Sequence, residues 1–187
     1  LYKDALEIDP KDIDAFLGIV RLYIDGNKIK EAITEIKKSL SRSSSGLNFL
    51  PEIMKKTQEK HILKLVNTLL IDFNAKNPEN LIGMSLLANS YRLEKKYKAS
   101  LELYYKLRQL EPSNDKTLNN ISTVLNECGK INQAYKYVTA ALKLNPKNIE
   151  AHNNRGVILC AQKKYKKSIK AFKSAIQLNG LFAESYY

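Results

Sequence analysis

The sequence predicts an all-α chain in which antiparallel helix pairs stack side by side as a solenoid. Three observations carry this expectation. Helix-stopping residues recur at a fixed interval: Pro78, Pro112 and Pro146 stand 34 residues apart, Pro10 lies two such steps before Pro78 with Ser44 at the midpoint, and Gly180 lies one step beyond Pro146. Proline and glycine both end helices, so the marks have a physical meaning. Between the marks, apolar residues fall three and four positions apart, as in Ala134, Val138, Ala141 and Leu142, which is the spacing of one helical face. Small residues recur at one phase (Ala32, Ser100, Ala134, Ser168) and at a second (Ala5, Ser39, Ala141, Ala175), with Tyr2, Ile36, Tyr104, Val138 and Phe172 between them. Paired helices need such a pattern where they approach closely. A single pair cannot bury its apolar faces, so stacking must supply the core.

The elements follow in order. Residues 1–12, "LYKDALEIDP" and the two that follow, read as the second helix of a repeat whose first helix is absent. Residues 13–46 form a pair with a turn at "DGN" around Gly26. Residues 47–80 form a degenerate pair. The polar "SRSSSG" before it reads as a loop, Pro51 suits a first helical turn, and Val66, Leu70 and Phe73 keep the expected phase. Three regular pairs follow at 81–114, 115–148 and 149–182, with a turn at "CGK" around Gly129 and a stop at Gly180. Residues 183–187 then open a further repeat.

At 44% hydrophobic and 27% charged, the 187 residues carry enough apolar material to fold. No run of 18 apolar residues is present, so no membrane span is expected, and no signal peptide is seen. Cys128 and Cys160 have neither metal-ligand spacing nor a disulfide framework. They read as free thiols in a reducing compartment, which places the protein in the cytoplasm. The net charge of +12 invites a nucleic-acid reading. The lysines concentrate in second helices and turns, as in "KKYKKSIKAFK". There they suit a solvated face better than a phosphate-tracking groove.

The repeat resembles the tetratricopeptide repeat, a helix–turn–helix unit of about 34 residues with a W-x2-L-G-x2-Y, A-x3-F, P signature. In "AHNNRGVILCAQKKYKKSIKAFKSAIQLNG", His152 stands in the Trp position, Gly156 keeps the glycine and Phe172 the aromatic. Ser168 replaces the alanine, Arg155 departs from the leucine and Gly180 replaces the proline. The copy at 81–114 keeps Leu87, Tyr91, Tyr104 and Pro112; the copy at 13–46 keeps Phe16, Tyr23 and Ala32. The resemblance implies a right-handed superhelical solenoid. In it the first helix of each pair lines an inner groove, and the usual ligand there is a peptide or protein segment.

On that reading the groove candidates are Asn89, Arg92, Lys116, Asn119, Asn120, Thr123, Asn153 and Asn154. Across the inward positions of four repeats, three cations (Arg21, Arg92, Lys116) meet four anions (Asp14, Asp25, Glu127, Glu150). The groove is therefore near neutral, which disfavours nucleic acid. One subclass of the family grips chaperone carboxylates with two asparagines and three cations. Asn89 and Asn120 match the asparagines, but Ser85, Glu150 and Asn154 occupy the cation positions, so the clamp is not expected here. The pairs Asn119–Asn120 and Asn153–Asn154 stand 34 residues apart. A carboxamide both donates and accepts, which suits a peptide backbone, and the arrangement resembles the asparagine ladder of the O-linked N-acetylglucosamine transferases. Asn120 and Asn154 are expected to serve binding without serving stability.

No glycine-rich phosphate loop, His/Cys/Asp cluster or nucleophile with a base is visible, so no catalytic, cofactor-binding or metal residue is assigned. His61 and His152 lie at unrelated phases, and His152 reads as filling an aromatic packing slot. Two functional classes remain: a scaffold or adaptor that binds a protein or peptide of unknown identity, and the substrate-recruiting arm of a larger glycosyltransferase, methyltransferase or sulfotransferase. Exposed repeat ends would also allow self-association.

Overall fold

A computed structural model describes residues 13–40, 44–56 and 60–184. The expectation for 1–12 lies outside them. All the described elements are helical. They fall into two compact units, residues 1–94 and 95–187, so the boundary cuts the repeat expected at 81–114 between its two helices.

In the first unit α1 (Ile13–Asp25) and α2 (Ile29–Leu40) form a hairpin, followed by a 3-10 turn (Ser44–Phe49), α3 (Leu50–Lys56), α4 (Lys60–Lys76) and α5 (Leu81–Leu93). The stretch expected to be a loop is thus partly corrected, because Ser44 to Gly46 open the 3-10 turn. Leu47, directly after them, is buried at 1% exposure, and that apolar anchor ties the turn down. Pro51 sits in the first turn of α3 as expected. Val66, Leu70 and Phe73 are buried, as their phase required.

In the second unit α6 (Tyr97–Leu110) precedes two hairpins, α7 (Asp115–Glu127) with α8 (Ile131–Leu144), and α9 (Ile149–Ala161) with α10 (Tyr165–Glu184). Consecutive helices pack on each other, and α9 also touches α7. The small residues Ser100, Ala134 and Ser168 are buried at one phase and Ala141 and Ala175 at the other. Tyr104 and Val138 fill the space between. Each large apolar side chain buried in this way contributes roughly 1.5–3 kcal/mol.

The turns repeat as faithfully as the helices. A left-handed residue recurs two positions after the end of α1, α5, α7 and α9, at Asn27 (φ 57°), Lys95 (φ 60°), Gly129 (φ 80°) and Lys163 (φ 59°). The following N–H closes back over the helix end: Lys130 donates to the Leu125 carbonyl at 2.8 Å and Lys164 to that of Leu159 at 2.9 Å. This is the Schellman pattern. Position 61, at the same phase, lies inside α4, and that is where the degenerate repeat loses its regular form.

Between pairs, each of the three prolines sits second in a four-residue turn that an asparagine closes. Asn80, Asn114 and Asn148 donate their backbone N–H to Asn77, Glu111 and Asn145, at 3.0–3.2 Å. Each then caps the next helix, its side-chain oxygen accepting from Gly83, Thr117 or Ala151 at 2.8–3.1 Å. Gly180 does not follow this scheme. The expected stop is corrected: α10 runs through it to Glu184. Glycine lowers helix stability by about 1 kcal/mol relative to alanine but does not block the next hydrogen bond as proline does. Residues 183 and 184 therefore continue α10 rather than opening a new repeat, and 185–187 lie outside the described residues.

Candidate functional site

In the second unit the candidate face is built on α7 and α9. Asn114 and Asn148 fix where these helices start, and Asp115 ties the two starts together. Its Oδ2 accepts from Asn148 Nδ2 at 2.6 Å and from Asn145 Nδ2 at 3.0 Å. With the starts fixed, equivalent positions on the two helices come side by side.

Three of the candidates form one network. Asn154 Nδ2 donates to Asn119 Oδ1 at 2.9 Å and to Thr123 Oγ1 at 3.1 Å. Thr123 in turn donates its hydroxyl to the Asn119 carbonyl at 3.2 Å. Both protons of the Asn154 amide are used, so its oxygen is the end left over. Asn154 is half-buried, so this oxygen is the acceptor that the network leaves on α9.

The two asparagine pairs are not equivalent. Asn119 is only 3% exposed, whereas Asn153 is exposed. Asn120 and Asn154 are half-buried, and Lys116 stands exposed at the start of α7. The link between repeats is diagonal, from Asn119 to Asn154, rather than straight along the 34-residue step. Asn154 bonds α9 to α7 as well as standing at the candidate face.

In the first unit Asn89 and Arg92 lie one turn apart on α5. Arg92 Nε and Nη2 both donate to Asn89 Oδ1, at 3.1 and 3.0 Å. These two residues line a cleft of about 480 Å³ with Pro51, Met54, Lys55, Leu63 and Leu93. Lys55, Pro51, Met54 and Leu63 are functional candidates that the sequence reading missed. They come from the degenerate repeat, where no phase rule pointed to an inward face.

Two tetratricopeptide-repeat family models match the sequence, one over residues 115–148 and the other over 149–180. Residues 115–180 thus match tetratricopeptide repeats. No curated protein matches it. Solved tetratricopeptide-repeat structures share its fold. MamA from Desulfovibrio magneticus RS-1 is 13% identical with a TM-score of 0.64, over 89% of this chain and 94% of that one. YrrB, described as a TPR protein with an unusual peptide-binding site, is 17% identical with a TM-score of 0.57, over 98% and 97%. The second TPR of Spaghetti (RPAP3), bound to the HSP90 peptide SRMEEVD, is 21% identical with a TM-score of 0.50, over 55% and 95%.

Other features of the chain are structural. His152 is half-buried, and its Nε2 lies 2.8 Å from the Pro146 carbonyl, so it braces the inter-pair turn. Among the described residues no group of three His, Cys, Asp or Glu could hold a metal. No helix among them is long and apolar enough to cross a membrane. Lys163, Lys164, Lys166, Lys167 and Lys170 are all exposed, as expected of a solvated face.

Proposed function

We propose that the chain is a protein-interaction module that binds an extended peptide segment across the first helices of the second unit and serves as a scaffold. The observation that carries this reading is the Asn119–Thr123–Asn154 network. It uses both Asn154 amide protons within the fold and leaves the Asn154 oxygen as an acceptor on a half-buried residue of α9, while the half-buried Asn120 supplies an amide from α7. A peptide unit offers a complementary N–H and carbonyl regardless of side chain. Asn153 and Lys116 are exposed on the same two helices. Thr123 and the buried Asn119 act as positioning residues. They lower the ordering cost of the polar group that meets the ligand, which is where preorganisation helps affinity. The peptide-binding descriptions of YrrB and of the RPAP3 repeat add weight to the same reading.

The test is a phage-displayed random dodecapeptide selection against the full chain, followed by titration of one selected peptide. Asn120→Ala and Asn154→Ala should each weaken binding about tenfold, the loss of roughly one hydrogen bond to an amide. Thr123→Val should weaken it through Asn154 alone, with no added effect in the Asn154→Ala background. Equal affinity for the wild type and for the Asn120→Ala/Asn154→Ala double variant would refute the assignment.

A further inference from the structure

We propose that an exposed stripe of α10 docks a helix of a partner protein, antiparallel to α10, whose apolar residues fall at steps of four and three and are each followed by Asp or Glu. The surface is separate from the face on α7 and α9 and stands without it. Tyr165, Ile169, Phe172 and Ile176 succeed one another at steps of four, three and four, so they share one side of the helix. Tyr165, Ile169 and Ile176 are 59, 56 and 71% exposed, and Phe172 is half-buried. Single exposed apolar residues are ordinary, but a contiguous row of them marks a contact surface.

The preceding repeat shows what covers such a stripe. Ile131, Tyr135, Val138 and Leu142 stand 34 residues earlier, on α8. There α9 packs on α8. Val138 and Leu142 are buried, and Ile131 and Tyr135 half-buried. The short turn between α8 and α9 makes them antiparallel neighbours, so an antiparallel helix is the shape that fits. The chain does not supply one to α10 in the same way. Residue 149, which opens α9, has its counterpart at 183, and that residue still lies inside α10. The joint that would turn the chain back over the stripe is missing there, so the cover comes from another molecule.

The lysines set the charge of the occupant. Lys166, Lys170 and Lys173 each come one residue after a member of the stripe, which puts them about 100° round the helix, along one edge. All three are exposed. Between Glu150 and Glu184 the sequence has one arginine, six lysines and no Asp or Glu. Glu184 itself lies eleven residues past Lys173, about 16 Å along the axis. On an antiparallel helix the residue after each apolar one emerges on this same edge, so acidic residues in that place meet the lysines. A second copy seated stripe to stripe would set lysine against lysine instead, which is unfavourable. An anionic bilayer would meet the lysine row on one edge only, because the other edge is the seam against α9, where Ser168 donates its hydroxyl to the Gly156 carbonyl at 2.8 Å.

The experiment is fluorescence anisotropy of a fluorescein-labelled peptide titrated with the full chain. The probe is two copies of Leu-Glu-Ala-Ala-Leu-Glu-Ala in tandem, amidated, which has leucines at steps of four, three and four with Glu after each. Its companions are the same peptide with Gln for Glu and a scrambled peptide of identical composition. Saturable binding of the probe is expected. The dissociation constant should rise about tenfold for the Gln peptide, for Ile169→Ser/Ile176→Ser and for Lys170→Gln/Lys173→Gln, and also rise with salt. Lys143→Gln/Lys147→Gln removes the same charge from exposed positions outside the stripe and should leave binding unchanged. Asn120→Ala/Asn154→Ala should do the same, which separates failure of this surface from failure of the groove reading. Far-ultraviolet circular dichroism checks that each variant is folded.

Equal affinity for the scrambled peptide, or an equal loss in Lys143→Gln/Lys147→Gln, would overturn the proposal and leave bulk charge as the cause. A wild-type dimer in sedimentation that Ile169→Ser/Ile176→Ser abolishes would give the stripe to a second copy. Binding to phosphatidylserine vesicles that the same variant loses would give it to a membrane. Either result would overturn the assignment to a partner helix.

Discussion

Adding one methyl group at Gly156 tests how closely α9 and α10 approach. A Cβ built there would lie 2.6, 2.7 and 2.8 Å from Phe172 Cε1, Cδ1 and Cζ, well inside the optimum of about 3.5–4.0 Å for carbon pairs. Overpacking of this kind costs about 1–3 kcal/mol. Alanine in place of glycine within a helix recovers about 1 kcal/mol. Gly156→Ala should therefore destabilise the hairpin by about 1 kcal/mol net, the Phe172 ring yielding part of the way because it is only half-buried. In a Phe172→Ala background the obstacle is gone and the helical gain remains. There the same substitution should stabilise by up to about 1 kcal/mol. The sign change is the test. Urea denaturation followed by circular dichroism, with native-state hydrogen exchange of α9 and α10 amides as the local readout, measures all four corners of the cycle. A loss of equal size in both backgrounds, or a gain in the wild type, would refute the close-contact account of Gly156.

Two further outcomes follow from the turns and the tyrosines. Lys163 holds a φ of 59°, which costs an L-residue roughly 1 kcal/mol; Lys163→Gly should gain about 0.5 kcal/mol after the flexibility of glycine in the unfolded chain is subtracted. Gly129→Ala at the equivalent turn should lose about 1 kcal/mol, and urea midpoints moving in the opposite senses would contradict the strain argument. Burial first, then the charge and hydrogen bond of neighbouring Tyr137, raise the Tyr105 phenol above its ordinary value. A phenol raised in the folded state contributes stability that is present below the unfolded value, about pH 10, and is lost as pH rises through the folded one. Melting between pH 9 and about 11.5 should fall less steeply in Tyr105→Phe; parallel curves would show that Tyr105 is not responsible.

The regular repeats were legible because packing and backbone speak with one period. Ser100, Ala134 and Ser168 are small because a facing helix leaves no room, and each is buried. The asparagines of "NPEN", "EPSN" and "NPKN" were visible in the sequence as echoes around the prolines, but their capping role was not drawn from them. The signal was there: a capping residue 34 positions after another, immediately before an apolar period. Gly180 misled because glycine tolerates a stop without enforcing one. Asn119 and Asn153 occupy one phase yet differ in burial, since α9 lies over the first and no described helix lies over the second. Phase alone reports which way a side chain points from its own helix, not what stands opposite. Lys55 was missed for the reverse reason: its repeat has no left-handed turn at position 61 to set a phase.

The four-residue joint between pairs, an Asn or Glu followed by Pro, any residue and Asn, holds both the end of one helix and the beginning of the next. A chain built on such joints has a structural reading frame. Gain or loss of a whole 34-residue segment cut at two of them restores every contact downstream. One residue inserted inside a helix instead rotates the rest of that helix by about 100°, turning small residues outward and long ones into the seam. Length in this protein should thus vary in whole repeats, and the tolerated single insertions should collect in the stretch from the 3-10 turn through α3, where the frame is already broken.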